Sequence, residues 1–145
     1  MTEPLLPRAL VVDDDPSMRR FLDTLLTHRG WRTVGAGSGA EAMERLAGDD
    51  GAFDIALLDA MLPDVRGYDL ARRLVSEERT AGLPLCFLSG ALSGRALPTE
   101  AVGCILKPAL PAQVLSTIQA VVDSPRSTAA ARLAAIDAIE RLSFL

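Results

Sequence analysis

Asp13, Asp14 and Asp15 close the apolar run ALVV, and Asp59, Ser89 and Lys107 each close another such run. Carboxylates held within a few ångströms of one another push up each other's pKa unless a cation neutralises them. Two cations suit this set. Lys107 offers a compact point charge on a flexible stem. Mg2+ suits an all-oxygen site of one or two carboxylates completed by waters and a phosphoryl group. The third acid of the run has a different use. Asp15 precedes Pro16, and Asp-Pro reads as a helix N-cap followed by the first helical residue. Asp13 and Asp14 are left for the ion, and Asp15 for the helix.

These groups meet only if the runs that carry them lie side by side. Ala9–Val12 is short, bounded and uninterrupted, the pattern of a strand buried on both faces. Trp31–Ala36, Asp54–Leu58, Pro84–Leu88 and Gly103–Leu106 read as further strands. Helical periods separate them. Met18, Phe21, Leu22, Leu25 and Leu26 share one helix face, with His28 and Arg29 in the last turn and Gly30 as the stop. Ser38 and Glu41 form a capping box that opens a second helix through Ala47. A third runs from Gly67 to Glu78 with Tyr68, Ala71, Leu74 and Val75 inward. Gly94–Val102 is a short helical candidate, which Pro98 would start or break. Pro111 opens a helix whose inner face is Val114, Leu115, Ile118, Val121 and Val122. Strands alternating with helices predict an α/β domain, a doubly wound five-stranded parallel sheet covered on both faces. Ligands of such sheets bind beyond the carboxyl ends of the strands. Asp13-Asp14, Asp59, Ser89 and Lys107 all lie there.

The bulk properties agree with a packed domain. Apolar residues make up 49% and the mean hydropathy is +0.23, outside the range of disordered chains. The net charge is −4 without a long basic run, so no electrostatic footprint for nucleic acid is present. Glu3, Pro4 and Pro7 exclude a signal-peptide core at the start. No apolar stretch approaches the roughly 20 residues of a bilayer span. Cys86 and Cys104 each sit in an apolar run and read as buried reduced thiols rather than a disulfide or metal pair. The expectation is a soluble cytoplasmic protein without membrane or nucleic-acid contact.

LVVDDDPSMRR, IALLDAMLPDVRGYDL, CFLSG and CILKPAL together resemble the receiver domains of two-component response regulators. The motifs stand in that family's order and cover residues 8–123. The resemblance implies a flavodoxin-like sheet with strand order 2-1-3-4-5. It implies that Asp59 receives a phosphoryl group from the phosphohistidine of a histidine kinase or phosphotransfer protein, with Mg2+ as cofactor. By the same resemblance Asp14 and Asp59 bind Mg2+ directly, Asp13 binds through a water, and the backbone carbonyl of Met61 completes the protein's share. Lys107 would pair with the phosphoryl oxygens and Ser89 would hydrogen-bond them. The domain would catalyse its own modification without being an enzyme, and then relay the signal by a conformational change. Lys107-Pro108 resembles a peptide bond that is frequently cis in the family.

The chain also departs from the pattern. Arg66-Gly67 stands where Asp-Gly is usual. The span from Ser89 to Lys107 is short, so the fourth helix is expected to be clipped or missing. Cys104 replaces a switching Tyr or Phe, so a relay would have to come from Ala91–Val102 itself. By the resemblance, Met61 and Ala91 would flank the approach of a hydrolytic water; neither can orient one, which predicts slow loss of the phosphoryl group. Cys104 and the clipped helix favour a competing reading, a receiver-like interaction module that works without phosphorylation; the complete acid, Ser and Lys set opposes it. GAGSGA (Gly35–Ala40) matches a dinucleotide-binding outline, but it follows the second strand and would set a pyrophosphate beside the acids. A phosphatase using Asp59 would want an acid where Met61 stands. His28 and Trp31 need no function.

Residues 1–123 form the receiver-like domain, and 124–145 a linker and C-terminal helix. The helix is expected over Ser127–Leu142, its apolar residues wrapping most of the circumference. Ile136, Ile139, Leu142, Phe144 and Leu145 are too apolar for water. They call for self-association as a homodimer or connection to a downstream element.

Overall fold

The computed structural model describes residues 6–48, 53–90, 102–107, 110–125 and 127–142. Five strands, β1 (Arg8–Val12), β2 (Arg32–Ala36), β3 (Ile55–Asp59), β4 (Leu85–Ser89) and β5 (Gly103–Leu106), pair in parallel in the order β2-β1-β3-β4-β5. This is the flavodoxin-like parallel sheet that the alternating pattern and the resemblance predict. The helices are α1 (Pro16–Thr27), α2 (Gly39–Ala47), α3 (Gly67–Ser76), α4 (Pro111–Asp123) and α5 (Ala129–Leu142). The candidate helix at Gly94–Val102, Pro98, Ala91 and Pro108 lie outside the described residues, Val102 excepted.

Side chains alternate across the sheet, and this explains the uninterrupted apolar runs. Leu10, Val12, Ala56, Leu58, Leu85 and Phe87 face one core, shared with α2, α3 and α5. Ala9, Val11, Ile55, Leu57, Cys86 and Leu88 face the other, shared with α1 and α4. Cys86 and Cys104 therefore belong to opposite faces, and both are free, buried thiols. Burial pushes the Cys86 thiol well above its usual range and that of Cys104 up to about 12.

The strand and helix ends shift slightly from expectation. β3 runs to Asp59 and β4 to Ser89, so both polar residues are the last of their strands. α1 ends at Thr27 with His28 as C-cap, short of Arg29, because Gly30 turns the chain at φ +84°. α3 stops at Ser76, two residues early.

The C-terminal helix differs most from its sequence reading. It lies along α3 and buries a stripe of Arg132, Ile136 and Ile139, with Leu133, Ala135 and Leu142 partly covered. Its alanines made the whole circumference look apolar. Arg132 donates to the carbonyls of Ala81 and Leu83, which anchors the start of the helix at the amino end of β4. Two of the apolar residues behind the expected homodimer, Ile136 and Ile139, are fully covered within one chain. Phe144 and Leu145 lie outside the described residues.

Truncating a buried isoleucine removes transfer free energy and leaves a cavity. Ile136→Ala and Ile139→Ala should each lower the urea-unfolding free energy by about 2–4 kcal/mol. A helix that dangled from the domain would make both substitutions nearly neutral.

Candidate functional site

The local sequence explains how the acids are presented. Asp15 caps α1, its Oδ1 accepting from the Ser17 N–H at 2.9 Å, and Pro16 takes the first helical position. The N–H of Asp15 in turn donates to Asp13 Oδ1 at 3.0 Å. The other oxygen of Asp13, Oδ2, lies 2.7 Å from Lys107 Nζ. Asp13 is fully buried, yet both its oxygens are partnered. Asp14 is exposed.

Asp59 ends β3 with its carboxylate turned back over its own loop. Its Oδ1 accepts from the Met61 N–H at 3.1 Å, and Oδ2 lies 3.4 Å from Lys107 Nζ. One ammonium thus bridges carboxylates from two strands. Carboxylate oxygens of Asp13, Asp14 and Asp59 come within 4.8 Å of one another. An all-oxygen donor set of that span, one member exposed, fits a small hard cation that keeps several waters. Ser89 is buried beside this group: its carbonyl accepts from the Lys107 N–H at 2.8 Å, and it pairs with Leu106 across β4 and β5. The Met61 side chain is 66% exposed at the rim.

Burial, reinforced by the charge of Asp13, pushes the Asp59 carboxyl up to about 6, against the pull of the Met61 N–H and Lys107. Burial works against the charge on Lys107, but the Asp13 hydrogen bond and both carboxylates outweigh it and hold its pKa above the usual value. The acids need the lysine, and the lysine is kept charged by the acids.

Further residues position this group, and the sequence reading passed over them. The backbone of Asp13 is clamped from two sides. Its N–H donates to the Ala36 carbonyl at 3.0 Å, and its carbonyl accepts from Arg19 Nη1 at 2.6 Å. Arg19 lies against Gly35 and Gly37, where an added Cβ would come within 3.4 Å and 3.3 Å of it. The first two glycines of GAGSGA therefore make room for an arginine. The third makes room for the loop after β3: a Cβ on Gly39 would meet Val65 at 2.3 Å. From that loop Asp64 accepts the N–H of Gly39 at 2.8 Å and of Ala40 at 2.9 Å, which holds its carboxyl below the usual range. The helix N-terminus that would cradle a pyrophosphate is filled by the chain's own carboxylate.

Residues 9–119 match the response regulator receiver domain family, and the chain belongs to it. Among its relatives is the transcriptional regulatory protein GltR of Pseudomonas aeruginosa, 32% identical over 116 residues, 77% of this chain and 47% of that protein. The DNA-binding response regulator MtrA of Mycolicibacterium smegmatis is 31% identical over 78% of this chain and 49% of its own length. This chain spans about half the length of these curated relatives. A solved receiver domain of the sensor histidine kinase PA1611 from P. aeruginosa, with magnesium coordinated in its active-site cleft, superposes with a TM-score of 0.71. It is 23% identical, over 83% of this chain and 100% of that one, and so shares the fold. Receiver domains are signalling domains rather than enzymes. No helix among the described residues is long and apolar enough to cross a membrane.

The elevated pKa of Asp59 has a signed consequence. The native state holds this proton up to about pH 6, whereas the unfolded chain loses it near the ordinary value of 3.8. Ionised Asp59 therefore costs stability above pH 6 and costs nothing below pH 4. In Mg2+-free buffer, Asp59→Asn should raise the unfolding free energy at pH 7.5 by on the order of 1–3 kcal/mol, a gain that disappears near pH 4. Urea titrations at both pH values check this, and an equal gain at both would contradict it.

Proposed function

We propose that this protein is a Mg2+-dependent phosphoacceptor, with Asp59 taking the phosphoryl group from the phosphohistidine of a histidine kinase or phosphotransfer protein. The observation that carries the reading is the meeting of the Asp13, Asp14 and Asp59 carboxylates, bridged by Lys107. Asp14, Asp59 and the Met61 carbonyl would hold Mg2+ directly, with Asp13 acting through a water. When bound, the ion supplies positive charge to the phosphoryl oxygens.

The chain's own residues do the rest. An ionised oxygen of Asp59 forms the new P–O bond, the P–N bond of the donor breaks, and its electron pair leaves on the imidazole nitrogen. Charge spreads over the equatorial oxygens during transfer, so catalysis is positioning plus neutralisation. Lys107 would exchange part of its contact with Asp59 for the incoming oxygens, and Ser89 would donate to them. Asp59 must be ionised, which places the working range above about pH 6 without the metal. Phosphohistidine is made with ATP, so the protein acts in the cytoplasm. The relatives' names support a regulatory role, in a longer protein or through a partner.

Incubation with phosphoramidate and Mg2+ should add one phosphoryl group to the intact mass, and Asp59→Asn should abolish the gain. Absence of a gain at every Mg2+ concentration would favour an interaction module that works without phosphorylation.

The same reading bears on the lifetime of the phosphorylated state. A flexible apolar chain at position 61 cannot orient a water in line with phosphorus. After donor removal, Met61→Asn should lose its phosphoryl mass several-fold faster than wild type. A mutant that held the group as long or longer would contradict this reading of Met61.

A further inference from the structure

Arg66 joins the site to the C-terminal helix. It is the N-cap residue of α3 and the last residue of the loop that starts at Asp59. The loop is closed on itself: Met61 and Arg66 bridge in antiparallel fashion, and the Gly67 N–H donates to the Ala60 carbonyl at 2.8 Å. Gly67 sits so close that an added Cβ would lie 2.0 Å from the Asp59 carbonyl oxygen. The backbone next to Arg66 is thus in direct contact with the backbone of Asp59.

The side chain of Arg66 points the other way along the chain of contacts. Its Nη1 lies 2.7 Å from Glu140 Oε2 on α5, and its Nε lies 3.2 Å from Asp69. Arg72, six residues further on, pairs with Asp137 at 2.8 Å, with Glu140, and with Asp69 at 2.9 Å. Two guanidinium groups therefore hold three carboxylates. Glu140 is the most covered of the three, with its side chain 13% exposed. Arg132 fixes one end of α5 at the amino end of β4, while Glu140 fixes the other beside the phosphoacceptor loop. The helix spans the sheet from end to end, and its last turn finishes at the loop that starts with Asp59.

We infer that α5 is the output element of this domain, a helix latched to α3 by Arg66 and loosened when Asp59 carries a phosphoryl group. The inference rests on the phosphoacceptor reading. A phosphoryl group adds close to two negative charges and three acceptor oxygens. Placed at the other end of the Asp59–Arg66 loop, that charge competes with Glu140 for the Arg66 guanidinium. Losing Arg66 leaves Glu140 to share Arg72 with Asp69 and Asp137, three carboxylates on one cation. Ile136 and Ile139 hold the middle of the helix, and the charge network adds to the docking of its last turns. This route needs no large ring at position 104. It runs through the residue that replaces the usual acid before Gly67.

Hydrogen–deuterium exchange on the full chain tests it, with intact mass read in parallel. With phosphoramidate and Mg2+, peptides from residues 133–142 should exchange on the order of threefold to tenfold faster, while α1 peptides stay unchanged. Arg66→Ala should speed α5 exchange without any donor and remove the further response. Arg141→Ala, an exposed α5 charge outside the network, should behave as wild type. A phosphoryl mass gain without faster α5 exchange overturns the latch and leaves the phosphoacceptor reading intact. Wild-type α5 exchange in Arg66→Ala also overturns it. No mass gain overturns the phosphoacceptor reading and the latch with it.

Discussion

Repulsion among carboxylates at the ends of two neighbouring strands is the constraint on which this structure depends. Asp13 and Asp59 follow or end β1 and β3, which lie side by side, and Asp14 adds a third charge at the rim. Lys107 holds them together from beyond β5, at 2.7 Å from Asp13 and 3.4 Å from Asp59. Adjacent strands are about 4.8 Å apart, so β5 lies three spacings from β1 and the lysine reaches back across the rim to the residue after β1. The strand order is what makes this contact available. One ammonium does not balance three carboxylates, and the charge of Asp13 adds to burial, the larger cause, in raising the pKa of Asp59. The unbalanced charge is what a divalent ion would neutralise.

The surroundings keep the acids from relaxing apart. Arg19 and Ala36 grip the backbone of Asp13, and Gly35 and Gly37 leave space for the arginine. Asp64 fastens the loop after Asp59 to the start of α2. Gly67 lets α3 begin directly against the Asp59 carbonyl. Through Arg66 and Glu140 the same loop is tied to α5. A local change of charge at Asp59 therefore acts on a frame held mainly by hydrogen bonds and ion pairs, which are directional and respond to charge.

Much of this was legible in the sequence, because burial on both faces of a parallel sheet leaves uninterrupted apolar runs with the polar site at their ends. Asp15 could be set apart from Asp13 and Asp14 by the proline after it. The docking of α5 was not legible. Its alanines blur the stripe of Arg132, Ile136 and Ile139, and a buried arginine bonded to backbone carbonyls has no sequence signature. Arg19 was hidden for another reason. Its partner is a backbone carbonyl, and the glycines that admit it imitate a phosphate-binding motif. The spacing of Gly35 and Gly37 was the available signal, and it pointed to a nucleotide before the arginine. Pattern alone also does not say that Ile136 and Ile139 are covered by the same chain.

The charge balance itself is the claim to measure. Mg2+ titrated by calorimetry at pH 7.5 into wild type, Asp14→Asn and Lys107→Met reads it directly. One ion should bind wild type. Asp14→Asn should weaken binding by on the order of tenfold or more, since in the proposed site Asp14 coordinates the ion directly. Lys107→Met should tighten it, because the lysine competes with the ion for Asp59 and, next to it, for Asp13. No saturable binding to wild type, or weaker binding to Lys107→Met, would contradict the account.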